Sequence, residues 1–127
     1  MKNIELGKYG EVLARKYLTA CGYEILAANW RCRFGEIDLI AQKEGRVIFF
    51  EVKTRHSDFF GTAEEAVDYR KTRKILKTAF EFLTEWKLRR GNPAIYGYPR
   101  IDVIAIDLNM YNMVKNIKHF KNIYESK

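Results

Sequence analysis

Cysteine and histidine are both scarce in this chain, with two of each among 127 residues. Cys21 and Cys32 form no CxxC pair and have few histidines for company, so neither a zinc site nor a disulfide framework is indicated. Both read as packing residues. No apolar run approaches the roughly 18 residues of a membrane span. The start, MKNIELGKYGE, lacks the apolar core of a signal peptide, which places the chain in the cytoplasm as an expectation. Repeats and low-complexity segments are also missing. What is present is a folding composition, 47% hydrophobic and 14% aromatic, at a length that suits one domain over residues 1–127.

Charge is unevenly distributed. Lys and Arg number 23 against 16 Asp and Glu, a formal net charge of +7. Such a surplus favours a polyanionic partner, nucleic acid first, through phosphate neutralisation. Against that basic background, one stretch, Gly35 to Arg55, GEIDLIAQKEGRVIFFEVKTR, sets acids and a lysine where a strand should be apolar.

That stretch reads as two strands joined by a tight turn. Alternation puts Ile37, Leu39 and Ala41 on one face of the first strand, and Glu36, Asp38 and Ile40 on the other. In the second strand Ile48, Phe50 and Val52 share a face, and Val47, Phe49, Glu51 and Lys53 the opposite one. With Glu44-Gly45 as the two-residue loop, Asp38 faces Glu51 and Glu36 faces Lys53. Two opposed carboxylates repel, and a divalent cation between them would relieve that repulsion. The plainer alternative is an exposed hairpin face with solvated charges.

Around this centre the periodicity predicts a helix from about Glu5 to Cys21, ended by Gly22, with Leu6, Tyr9, Leu13, Tyr17 and Ala20 on its apolar side. Gly7 and Gly10 inside a helix imply that something approaches closely there. Glu11 lies at the margin of the apolar face and is able to point inward, the alternative being a surface salt bridge to Lys8 or Arg15. Tyr23–Asn29 reads as a strand. Phe59 and Phe60 fall in a loop and are expected to tuck into the core, with contact to bases or a partner subunit as the alternative. Thr62 and Glu65 fit a capping box. Asp68 suits the N-cap of a long helix, about Tyr69 to Lys87, with Ile75, Leu76, Ala79, Phe80, Leu83 and Trp86 as its buried stripe. Tyr98–Asp107 reads as a strand, and Met113–Tyr124 as an edge strand, a terminal helix, or both.

Phosphodiester hydrolysis needs an activated water and a cation that stabilises charge on phosphate oxygens. Asp38 and Glu51 are able to hold Mg²⁺, with the Val52 carbonyl as a further oxygen ligand. Lys53 would then orient or deprotonate the water, or stabilise developing charge; its structural alternatives are a salt bridge to Glu36 or a solvent-exposed end. Arg55, Lys71 and Arg73 are candidate phosphate contacts. His56 reads as ordinary loop polarity, and Asp102 as a buried partner for an arginine or an indirect supporting residue. Glu-x-Lys alone is common; in register with Asp38, after a helix bearing an inward-capable Glu11, it is far more specific.

Gly7-x-x-Gly10-Glu11, Ala14, Tyr17-Leu18, Gly22-Tyr23 and Asn29, then GEIDLIA, EVKTR, Ala66-Val67, Lys71 and RIDVIAI, resemble the YraN-type family of small bacterial proteins across nearly the whole chain. That family is grouped with the restriction-endonuclease-like PD-(D/E)xK nucleases and is similar to archaeal Holliday-junction resolvases. The resemblance implies an α/β fold, a restriction-endonuclease-like mixed β-sheet flanked by helices. It implies Asp38, Glu51 and Lys53 as the motif core and Glu11 as the first-helix acid, with Ile37 where the motif's name has proline. The implied activity is Mg²⁺-dependent endonucleolytic cleavage of DNA, plausibly branched or structured, with Mn²⁺ as a substitute metal and a homodimer as the working form. The alternative is a non-catalytic nucleic-acid-binding or assembly module on the same fold.

Overall fold

The computed structural model describes residues 3–68, 75–90 and 99–123. In chain order these form α1 (Asn3–Ala20), β1 (Glu24–Cys32), β2 (Gly35–Lys43), β3 (Arg46–His56), the short α2 (Ser57–Phe60), α3 (Ile75–Arg90), β4 (Arg100–Leu108) and β5 (Val114–Phe120). The five strands make one mixed sheet in the order β1-β2-β3-β4-β5, antiparallel except for the parallel β3–β4 pair. This is the expected α/β sheet flanked by helices. Among the described residues no helix is long and apolar enough to cross a membrane.

The sheet has a core on each face. On one, α1 packs Ala14 and Leu18 against Leu39, Ala41, Ile48, Phe50, Ile104, Ile106 and Leu108. On the other, α3 packs Ala79 and Phe82 against Ile37, Ile40, Phe49 and Ile101. β4, covered on both faces, is buried from Ile101 to Leu108, as its nearly unbroken apolar run requires. Phe82 sits edge-on to Trp30 and Phe49, with ring centroids 5.3 and 5.8 Å away. The expected stripe of α3 is thus corrected at one position: Phe82 is buried while Phe80 is 43% exposed, because the face that meets Trp30 and Phe49 is centred on Ala79, Phe82 and Trp86. On α1 the buried line runs through Ala14 and Leu18, leaving Ala20 exposed.

α1 closes as expected. Tyr23 N–H donates to the Leu18 carbonyl at 2.9 Å and Gly22 N–H to that of Thr19 at 3.0 Å, the Schellman pattern. Of the two helical glycines, only Gly10 meets a close neighbour. A Cβ there would lie 1.8 Å from Thr54 Oγ1 on β3, whereas one at Gly7 would meet nothing within 4 Å. Gly7→Ala is therefore expected to stabilise the fold by about 1 kcal/mol. Gly10→Ala should cost about 1–3 kcal/mol by forcing α1 off β3. Urea midpoints of the two variants, moving in opposite directions, check this.

Two further expectations need correction, and one left open is decided. Cys21 is exposed rather than a packing residue, and both cysteines are free thiols. Phe59 and Phe60 do not tuck into the core; they are 59% and 70% exposed on α2. The C-terminal segment resolves as an edge strand, β5, paired only with β4. The capping box at Thr62 forms around a single turn: the Thr62 N–H donates to Glu65 Oε1 and the Glu65 N–H to the Thr62 hydroxyl, both at 3.1 Å. The start expected for the long helix, with Lys71 and Arg73, lies outside the described residues.

Candidate active site

The hairpin at the centre of the chain has the expected loop. Glu44 and Gly45 take left-handed backbone angles, φ 52° and 79°, as a two-residue turn closing tightly between twisted strands requires. The ladder then runs from Lys43↔Arg46 to Leu39↔Phe50 in the expected register. There it stops. β3 continues beside β4 as far as His56↔Leu108, while β2 stays with β1. Strands β2 and β3 thus separate just before Asp38 and Glu51.

Asp38 fills the opening. Its Oδ2 accepts the Val52 backbone N–H at 2.8 Å, so a side chain takes over where the backbone ladder has ended. The expected Asp38–Glu51 and Glu36–Lys53 backbone pairs do not form. Glu36 instead lies opposite Arg31 on β1 and meets its guanidinium at 3.5 Å, an exposed contact of little energetic weight.

A second irregularity sits beside the first. Asn29 falls between the pairs Ala28↔Leu39 and Trp30↔Ile37, and its φ of 53° breaks the extended backbone of β1. Asn tolerates this region better than most residues. Across from it the alternation of β2 changes phase, and Ile37 joins Ile40 in the α3-side core rather than Leu39 and Ala41 as expected. The Asn29 amide nitrogen donates to Glu11 Oε1 at 2.9 Å, so the helix acid turns toward the sheet instead of pairing with Lys8 or Arg15.

The result is a cleft of about 520 Å³ whose lining includes Glu36, Asp38, Glu51, Val52 and Lys53. Burial raises the Asp38 carboxyl to about 6; the Val52 N–H opposes the shift, and Glu11, Glu51 and Glu36 add to it by charge repulsion. Lys53 is half-buried and forms no ion pair among the described residues, so the salt bridge to Glu36 does not form. Lining residues that carry oxygen donors include Glu36, Asp38 and Glu51, with the Val52 backbone beside them. Among the described residues no three His, Cys, Asp or Glu side chains are arranged to hold an ion unaided.

Other candidates lie elsewhere. Arg55 is half-buried further along β3 and does not line the cleft. The His56 ring bonds the Asn112 side chain, a structural role. Asp102 is a buried arginine partner, held by Arg100 Nε and Nη2, both at 3.0 Å, by His119 Nε2 at 2.7 Å and by the Asn122 N–H at 2.8 Å.

Two residues at or beside the cleft escape sequence reasoning. Asn29 had one visible signal, a turn-favouring residue inside an apolar strand. Thr78 had none: it is fully buried on α3, lines the cleft, and its hydroxyl finds no partner among the described residues. An unsatisfied buried hydroxyl is unfavourable. Thr78→Val, which keeps the shape and removes the hydroxyl, is expected to raise the urea unfolding midpoint by the equivalent of about 1 kcal/mol.

Comparison with known proteins agrees with this arrangement in extent. The group described as "Uncharacterised protein family UPF0102" matches residues 10–106, a span that begins beside Glu11 and ends within β4. A UPF0102 protein of Clostridium botulinum strain Hall is 40% identical over 123 residues, 97% of this chain and 96% of the relative. Another from Clostridium kluyveri is 38% identical over the same shares. With motifs, coverage and identity in agreement, the chain belongs to the UPF0102 family.

Proposed function

We propose that this protein is a Mg²⁺-dependent endonuclease that hydrolyses phosphodiester bonds of DNA, branched or otherwise structured DNA in particular. One observation carries the reading: Asp38, Glu51 and Lys53 line a single cleft where β2 and β3 separate. Charge distribution supports it, since four carboxylates surround one point of a chain with net charge +7. A half-buried carboxyl repelled by three others favours a cation, and hard oxygen donors suit Mg²⁺ or Mn²⁺. Mg²⁺ keeps several waters and takes only one or two carboxylates, so the small donor set of Asp38, Glu51 and the Val52 carbonyl fits it. When bound, such an ion supplies Lewis acidity toward the phosphate and a more acidic water.

The chain's own groups divide the remaining work. The Val52 N–H fixes one oxygen of Asp38 and leaves the other for the cleft. Asn29 holds Glu11 toward the sheet. Lys53, free of ion pairs among the described residues, is available to orient the attacking water, take its proton, or meet charge developing on the phosphate. Arg55, Lys71 and Arg73 would add phosphate contacts.

Labelled duplex, flap and four-way-junction DNA, incubated with Mg²⁺ or Mn²⁺, tests the assignment. Lys53→Ala and Glu51→Ala should each reduce cleavage by roughly 10²-fold or more. DNA binding with a steep salt dependence, no cleavage, and indifference to both substitutions would instead identify a non-catalytic binding module.

A further inference from the structure

The β1–β2 turn reaches the mouth of the same cleft, and its composition is unusual for a turn. Cys32 pairs with Gly35, so the two corner residues are Arg33 and Phe34. Corners of two-residue hairpins favour Asn, Asp and Gly; here a large aromatic occupies one and a long cation the other. The Phe34 ring is 40% exposed and lines the cleft beside the acids. Arg33 Cζ lies 4.9 Å from its centroid and Lys77 Nζ, reaching from α3, 5.8 Å. Neither cation has an ion-pair partner among the described residues. The turn is held in shape by the Phe34 N–H donating to Cys32 Sγ at 3.4 Å.

We propose that Phe34, flanked by Arg33 and Lys77, is a stacking platform for an unpaired base of the DNA substrate, with the two cations meeting its flanking phosphates. A part-exposed ring with two cations over it, neither in an ion pair among the described residues, suits a ligand whose base displaces a cation from the ring while its phosphates take up the displaced charge, which describes a single strand. In a continuous duplex the bases are stacked on one another and offer this ring no face. The platform therefore selects DNA carrying unpaired nucleotides next to the bond in the cleft. This rests on the nuclease reading for its place in a reaction, but its binding role is separable from cleavage.

Fluorescence anisotropy in EDTA, where metal-dependent cleavage is suppressed, measures binding alone. The probes are a blunt duplex and the same duplex bearing a short single-stranded flap. Phe34→Leu is expected to weaken flap binding about tenfold while leaving blunt-duplex binding within about twofold, and Phe34→Trp to retain flap binding. Arg33→Ala and Lys77→Ala should each reduce the salt dependence of flap binding by about one phosphate contact. Equal losses on both probes, or no loss in Phe34→Leu, would overturn the platform. Flap-selective binding through Phe34 without cleavage under any metal would retain the platform and sink the nuclease assignment. Cleavage that needs Lys53 but ignores Phe34 would do the reverse.

Discussion

Asp38→Asn should produce a protein that is less active and more stable than the natural one. In the folded chain the Asp38 carboxylate is partly shielded from water and repelled by Glu11, Glu51 and Glu36, and among the described residues the Val52 N–H opposes that repulsion. Its rise from 3.8 to about 6 corresponds to an unfavourable term on the order of 3 kcal/mol for the ionised form at neutral pH. Asparagine removes the charge and keeps an oxygen to accept the Val52 N–H. In EDTA at neutral pH its urea midpoint is expected above that of the natural chain, by up to that amount. Cleavage should fall by about 10²–10³-fold. Addition of Mg²⁺ should raise the natural protein's midpoint and leave that of the variant nearly unchanged, because a ligand stabilises only the state that binds it. A variant less stable than the natural chain in EDTA would show that the four acids do not oppose folding.

The opposite outcome is expected at Asp102. It is fully buried, and its two oxygens serve Arg100, His119 and the Asn122 N–H. These ties join β4 to β5 and to the segment after it, where Ile123 N–H also meets the Ile101 carbonyl at 2.9 Å. Asp102→Ala leaves a mostly buried guanidinium without its carboxylate and should cost about 3–5 kcal/mol. The pH dependence has a definite sign. Burial by itself would raise this carboxyl, but the bonds from His119, Arg100 and Asn122 outweigh it and hold the group below its ordinary 3.8. A depressed acid contributes stability that is fully present above its unfolded value and is lost as pH falls through the lower, folded one. The stability gap between the natural chain and Asp102→Ala should therefore be constant near neutrality and begin to narrow below about pH 4. Urea titrations at a series of pH values give the comparison, and a gap that widens with acid would refute it.

The two aspartates were not distinguishable by local pattern. Each sits between apolar residues of a strand, in EIDLI and RIDVI. Asp102 meets Arg100 on its own strand and the His119 ring on the neighbouring one, whereas among the described residues Asp38 has Glu11, Glu51 and Glu36 for charged neighbours and accepts one backbone N–H. Partners of this kind depend on strand order, which the pairing of β4 with both β3 and β5 settles.

By itself the sequence determined a good deal. The 3.6-residue period placed α1, two-residue alternation placed β2, β3 and most of β4, and Glu44-Gly45 pinned the hairpin register, because these signals act within a few residues along the chain. Asp38, Glu51 and Lys53 stood out as candidates for the same reason, as polar residues that conflict with their local pattern, and Glu11 joined them through the family resemblance. Tertiary structure alone decided the remainder. Perfect alternation would have continued the β2–β3 ladder through Asp38; it ends at Leu39↔Phe50 instead, where β2 goes on beside β1 and β3 beside β4. Asn29 acquires a role only because α1 crosses β3 closely enough, over Gly10, for Glu11 to reach it. Thr78 and Phe34 come to the cleft from positions 44 residues apart, brought together by the packing of α3 across the sheet. No local periodicity encodes such meetings, since they follow from which apolar faces bury one another.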